Sequence, residues 1–89
     1  MRLDKFLKIS RIIKRRSVAK EICEHGRVQI NGRIAKAGHD VEVGDVLKID
    51  LGRRIITVEV LETPATISAH MAQELYRVME NTEKEEQPW

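Results

Sequence analysis

The sequence predicts a small α+β domain: two short helices, then a small antiparallel sheet, then a C-terminal helix. Three observations carry this expectation. Apolar residues recur at helical spacing between Leu3 and Cys23, β-branched runs broken by glycine turns fill the middle, and a helical period returns near residue 70. With 89 residues, the chain has room for a single core and one domain.

Leu3, Phe6 and Leu7 follow the i, i+3, i+4 spacing and place one apolar stripe on the first helix, with Arg2, Lys5 and Lys8 on the opposite, wet face. After the run at 11–16, Arg-Ile-Ile-Lys-Arg-Arg, Ser17 reads as the N-cap of a second helix. Its apolar face is Val18, Ala19, Ile22 and Cys23, and Gly26 fits the C′ position that ends it. Val28-Gln29-Ile30 and Arg33-Ile34-Ala35 flank Asn31-Gly32 and read as a hairpin, because that dipeptide supplies the two φ > 0 positions of a tight turn. Gly44-Asp45 marks the next turn. Residues 46–51 and 55–61 are β-branched strand candidates separated by Gly52-Arg53, and Pro64 closes the strand region. From 68 to 80 the spacing predicts a helix with Ala72, Leu75, Tyr76 and Met79 on one side. The expected division is therefore 1–62 for the helices and sheet, 63–80 for a C-terminal helix packed on or extending them, and 81–89 for an acidic, disordered tail.

A content of 42% hydrophobic and 34% charged residues is that of a globular chain. The net charge of +2 conceals a strong asymmetry. Residues 1–36 hold eleven Lys/Arg against three Asp/Glu, a balance of +8, whereas residues 37–89 hold five against eleven, a balance of −6. Such a split points the first half at a polyanion, nucleic acid or an anionic membrane. Cys23 is the only cysteine, which rules out an intrachain disulfide and gives oxidising compartments no support. Charged residues interrupt the apolar ones at the start, so no secretory leader is readable, and no apolar run approaches membrane-spanning length. A cytoplasmic protein is expected.

The basic cluster carries the chemistry. Lys14, Arg15 and Arg16 stand immediately before a helix N-terminus and Lys20 lies in its first turn, where the helix dipole favours acids instead. A phosphate would resolve that conflict, since the free N–H groups, the dipole and the cationic side chains would converge on one anion. A solvated charged face and a membrane-binding face stay open as alternatives. Only Phe6, Tyr76 and Trp89 are aromatic, and Phe6 faces the expected core, so there is no platform for stacking single-stranded bases. The polyanion that fits is folded RNA, read through its backbone and shape.

No metal or cofactor site is expected. Cys23 and His25 fall on roughly opposite sides of their helix, His39 is a loop residue, and His70 with Glu74 forms only an isolated i, i+4 pair. Cys23 belongs to the apolar face and reads as core rather than nucleophile. There is no Walker loop, dinucleotide fingerprint or Gly-x-Ser-x-Gly elbow, so the sequence does not support an enzyme.

Three motifs in order, Arg2-Leu3-Asp4-Lys5-Phe6-Leu7, Arg15-Arg16-Ser17-Val18-Ala19-Lys20 and Gly26-Arg27-Val28-Gln29-Ile30-Asn31-Gly32, resemble the RNA-binding domain named after ribosomal protein S-four over about residues 1–50. In that family, two helices set against a short hairpin form the RNA face. Within it, the Arg-Leu-Asp start, the 11–16 run and the Met- and Tyr-containing C-terminal segment resemble the RqcP (YabO) family of bacterial ribosome-associated quality-control factors, to about Met79. The resemblance implies a non-catalytic factor that binds large-subunit rRNA and P-site peptidyl-tRNA on obstructed subunits. It further implies support for template-independent alanine tailing, together with a partner that recruits alanyl-tRNA. By motif position it implies Arg2 and Arg16 as the leading RNA contacts, supported by Lys5, Lys8, Lys14, Arg15 and Lys20, with Arg11, Arg27 and Asn31 at the margin. A monomer is expected. The alternatives are a general rRNA-binding assembly factor or a heat-shock-type RNA chaperone. A third is the remnant of an RNA-modifying enzyme, for whose catalytic domain this length leaves no room.

Overall fold

The computed structural model describes residues 1–64 and 69–83. In chain order the elements are α1 (Leu3–Ile9), α2 (Arg16–Glu24), β1 (Val28–Ile30), β2 (Arg33–Ile34), β3 (Val46–Asp50), β4 (Arg54–Val60), a 3-10 helix (Ala69–Leu75) and β5 (Tyr76–Glu83). The strands form one antiparallel sheet in the order β2-β1-β3-β4-β5. The α+β expectation holds.

The core lies between the helix pair and one face of the sheet. Leu3, Phe6 and Leu7 of α1, Ala19 and Cys23 of α2, and Val28, Ile30, Leu47, Ile49, Val58 and Val60 of the sheet are buried in one cluster. Strand periodicity explains the selection, since Leu47 and Ile49 point inward while Lys48 between them is exposed. The first expected turn forms with the chemistry read for it: Asn31 and Gly32 have φ of 51° and 84°, and Ile30 pairs with Arg33 across them. Gly26 ends α2 at φ 71°, its N–H donating to the Cys23 carbonyl and that of Arg27 to the Ile22 carbonyl, both at 3.0 Å. This is the Schellman arrangement, which needs a left-handed residue at that position.

Four expectations are corrected. The C-terminal helix over 68–80 is replaced, among the described residues, by the 3-10 helix and then β5, which pairs with β4 from Val60↔Tyr76 to Arg54↔Glu83. The seven-residue β4 offers a long ladder of backbone groups, and pairing them outweighs a short helical period. Ala72 and Leu75 are buried as expected, but Met79 sits at the β4–β5 bulge, exposed. Residues 81–83 of the expected tail belong to β5, and 84–89 lie outside the described residues. Ser17 is not the N-cap of α2: Arg15 occupies that position in extended conformation, with no side-chain cap, and Ser17 falls inside the first turn. Val18, expected on the apolar face, is exposed, because the helix turns its 19/23 edge to α1 and the sheet.

Candidate nucleic-acid interface

The N-terminal segment is stitched to the loop between β2 and β3. The N–H groups of Leu3 and Asp4 donate to the carbonyls of His39 and Ala37, at 2.8 and 3.2 Å. The Val41 N–H donates to the Met1 carbonyl at 2.7 Å, and the Met1 amino group pairs with Asp40 at 2.6 Å. Arg2, the N-cap of α1, is therefore fixed in backbone position. Its side chain is fixed too. Nε lies 3.1 Å from Asp4 Oδ1 and Nη2 3.4 Å from Oδ2. A Cβ built on Gly38 would sit 3.8 Å from Cζ, Nη1 and Nη2 alike, so the guanidinium lies flat over that residue.

Arg16 reaches the same carboxylate from the other helix. Its Nη2 is 3.4 Å from Asp4 Oδ1 and its Nε 3.4 Å from Oδ2. Arg16 and Cys23 are seven residues apart, two helical turns, so Arg16 projects along the buried edge of α2 toward α1. Asp4 is itself 3% exposed and also accepts the Lys5 N–H at 2.8 Å. Burial raises the carboxyl pKa and is the largest single influence. The hydrogen bonds from Arg2 and Arg16, the Arg16 charge and the Lys5 N–H together outweigh it, so the carboxyl is held below its ordinary value of 3.8. The result is a clamp: one buried anion gripping two half-exposed arginines twelve and two residues away.

The remaining expected contacts distribute unevenly. Arg11, Lys14 and Arg15 are exposed in the connection between α1 and α2, and Lys20 is exposed one turn beyond Arg16 on the same side of α2. Arg11 has φ 61°, a left-handed conformation unusual for arginine. No acid occupies the first turn of α2, and no side chain caps it. Lys8 is exposed on α1 and Lys5 is half-buried. Arg27 lies at the far end of α2, whose nine residues span about 13 Å at 1.5 Å each. Asn31 is committed internally: its Nδ2 donates to Asp45 Oδ1 at 3.1 Å and its Oδ1 accepts the Val46 N–H at 2.9 Å. Structure thus gathers Arg2 with Arg16, keeps Arg11, Lys14, Arg15 and Lys20 in the same stretch, and sets Arg27 and Asn31 apart.

Asp4 and Gly38 are the neighbours of these arginines that the sequence reading missed. The signal for Asp4 was present, since a lone acid among cations beside an apolar stripe is half-buried by position and must then be paired. Cys23 is fully buried, and burial first, then the Asp4 and Glu24 charges, push its thiol up to about 11, which suits core packing and not nucleophilic attack. Among the described residues no group of three or more His, Cys, Asp or Glu could hold a metal ion. Nor is any helix there long and apolar enough to cross a membrane.

Residues 1–47 match the family described as the S4 domain. The chain is 50% identical over 88 residues to a protein of Halalkalibacterium halodurans named RQC P-site tRNA stabilizing factor, covering 99% of this chain and 94% of that one. A Bacillus subtilis protein of the same name is 48% identical over 79 residues, covering 89% and 92%. Among solved structures, the trimeric heat shock protein 15 of Vibrio cholerae superposes with a TM-score of 0.81 at 35% identity, over 89% of this chain and 81% of that one. The fold, the ordered motifs of its first half and near full-length identity therefore agree: the chain belongs to the S4-domain family of RQC P-site tRNA stabilizing factors.

Proposed function

We propose that this chain is a ribosome-associated quality-control factor. It binds large-subunit rRNA and P-site peptidyl-tRNA on obstructed subunits, and so supports template-independent alanine tailing of stalled nascent chains by a partner that recruits alanyl-tRNA. The observation that carries the reading is the Arg2–Asp4–Arg16 clamp, with Arg11, Lys14 and Arg15 exposed in the connection between α1 and α2 and Lys20 exposed on α2. It belongs to a chain 50% identical to a named P-site tRNA stabilizing factor. Arginine forks hold phosphates bidentately, and α2 offers uncapped N–H groups next to Arg15 and Arg16. The action is binding, not catalysis. A small basic domain that meets tRNA and rRNA phosphates together favours the tRNA-occupied subunit by its differential affinity for that state, and the population follows. Such work belongs in the cytoplasm and needs one copy per subunit.

The test is a strain lacking the gene that expresses a stop-less reporter, with C-terminal additions resolved by mass spectrometry. Loss of alanine tails with near-normal elongation is expected, and Arg2→Ala or Arg16→Ala should reproduce it. Normal tails in the deletion strain would overturn the reading. The likeness to heat shock protein 15 favours one second reading, a general RNA chaperone or rRNA-assembly factor using the same face. Under it the chain would bind naked rRNA as tightly as assembled subunits, and sucrose-gradient co-sedimentation separates the two.

A further inference from the structure

Asp4 sits where a phosphate-binding face should tolerate it least. It is the only acid in residues 1–20, and it lies between the two arginines on which the RNA-binding reading rests. By point charges alone, a carboxylate there weakens attraction for phosphate. Its burial changes that account. At 3% exposure, Asp4 is kept from meeting a phosphate, and its charge is directed into Arg2 and Arg16.

The guanidinium geometry gives the arrangement a use. Each arginine turns its Nε–Nη2 edge to Asp4. A guanidinium has five N–H donors in a rigid fork, so that choice leaves the Nη1–Nη2 edge of both side chains for an outside acceptor. Gly38 supports Arg2 from its flat face. Two arginines from different helices are thereby aimed and immobilised before any ligand arrives, and the ordering cost of binding is reduced.

We propose that Asp4 is a positioning residue for RNA binding, holding Arg2 and Arg16 side by side as a preformed pair of phosphate sites. The inference rests on the reading of this face as RNA-binding. Its decisive feature is the sign of an effect. Asp4→Asn adds one unit of positive charge to the face, so charge counting predicts tighter binding. Positioning predicts weaker binding, by about 10- to 100-fold for two long side chains set loose.

The experiment titrates the labelled full-length chain with purified large ribosomal subunits carrying P-site peptidyl-tRNA, comparing wild type, Asp4→Asn and Glu24→Gln. Glu24 is exposed at the end of α2, so its substitution makes the same charge change away from the clamp. The expected result is a large loss for Asp4→Asn and equal or slightly tighter binding for Glu24→Gln. Folded Asp4→Asn binding as tightly as wild type overturns the inference alone, while failure of the wild type to bind overturns the RNA reading and the inference with it. If Asp4→Asn does not fold, ¹⁵N relaxation of arginine Nε in the wild-type chain decides. Restrained Arg2 and Arg16 beside mobile Arg15 upholds the clamp, and equal mobility of the three overturns it.

Discussion

The salt dependence of binding should report how many charges the interface presents. Six of the exposed cations lie on the clamp, the α1–α2 connection and α2: Arg2, Arg11, Lys14, Arg15, Arg16 and Lys20. Asp4 already offsets one of them, leaving a net five for phosphate. Each neutralised phosphate releases counterions and contributes about −0.7 to −0.9 to the slope of log affinity against log salt, so the full slope should be about −3.5 to −4.5. Doubling the salt should then weaken binding by about 10- to 20-fold. The assay is fluorescence anisotropy of the labelled chain against large subunits at a series of potassium chloride concentrations and constant magnesium. Removing Arg15 by Arg15→Ala should shallow the slope by about one phosphate's worth, because that side chain is exposed and makes no ion pair among the described residues. A slope near zero would refute the basic-face argument. An unchanged slope for Arg15→Ala would refute the count.

Three further outcomes follow from the same geometry. Arg16→Ala should cost far more binding than Arg54→Ala and lower stability by about 1 kcal/mol, since Asp4 loses one of two charged partners; Arg16→Lys should recover only part of the binding, and equal losses at positions 16 and 54 would contradict the site. Arg11→Gly should stabilise the fold by about 0.5–1 kcal/mol, because a left-handed non-glycine costs about 1–2 kcal/mol and glycine's extra chain entropy returns only part of that, yet should weaken RNA binding; thermal melts and the same titration check both signs. The folded-state pKa of Asp4 lies below its ordinary 3.8, so its ion pairs contribute stability above that value and lose it as pH falls through the folded pKa. Denaturant unfolding should therefore show a steeper acid-side loss for wild type than for Asp4→Asn, and parallel curves would remove the clamp's energetic role.

Legibility in the sequence followed the range of the interactions. Gly26 and Asn31-Gly32 were readable because each demand is local: a positive φ at one residue, met by the residue type that bears it at least cost. Leu3, Phe6 and Leu7 were readable from spacing alone. The segment 76–83 was not, because its state is set by β4, a partner about twenty residues earlier whose free edge a helical count over 72–79 does not register. The same limit hid the clamp. Arg2 and Arg16 could be chosen as cations, but only the α1–α2 packing brings them to one carboxylate, and only the docking of loop 37–41 brings Gly38 beneath Arg2.

The place of function can also be argued from where the chain departs from its own stability rules. Most of its local choices are conventional: a glycine at the end of α2, a matched turn residue pair, an Asn31–Asp45 hydrogen bond, an amino terminus on Asp40. Three choices are not. Arg11 takes a left-handed conformation that glycine would hold without strain, α1 and α2 each start on an arginine with no side-chain cap, and the first turn of α2 carries no acid to complement the dipole. Each lowers stability by an amount of order 1 kcal/mol, and a Ser, Asp or Gly would remove it. They fall at the two helix starts whose arginines Asp4 ties together and in the connection between the helices. Random drift toward marginal stability would scatter such departures over the fold. A phosphate backbone, on the RNA-binding reading proposed above, would answer all three at once: it would accept the uncapped N–H groups, supply the missing negative charge, and engage a cation at position 11 that glycine could not provide.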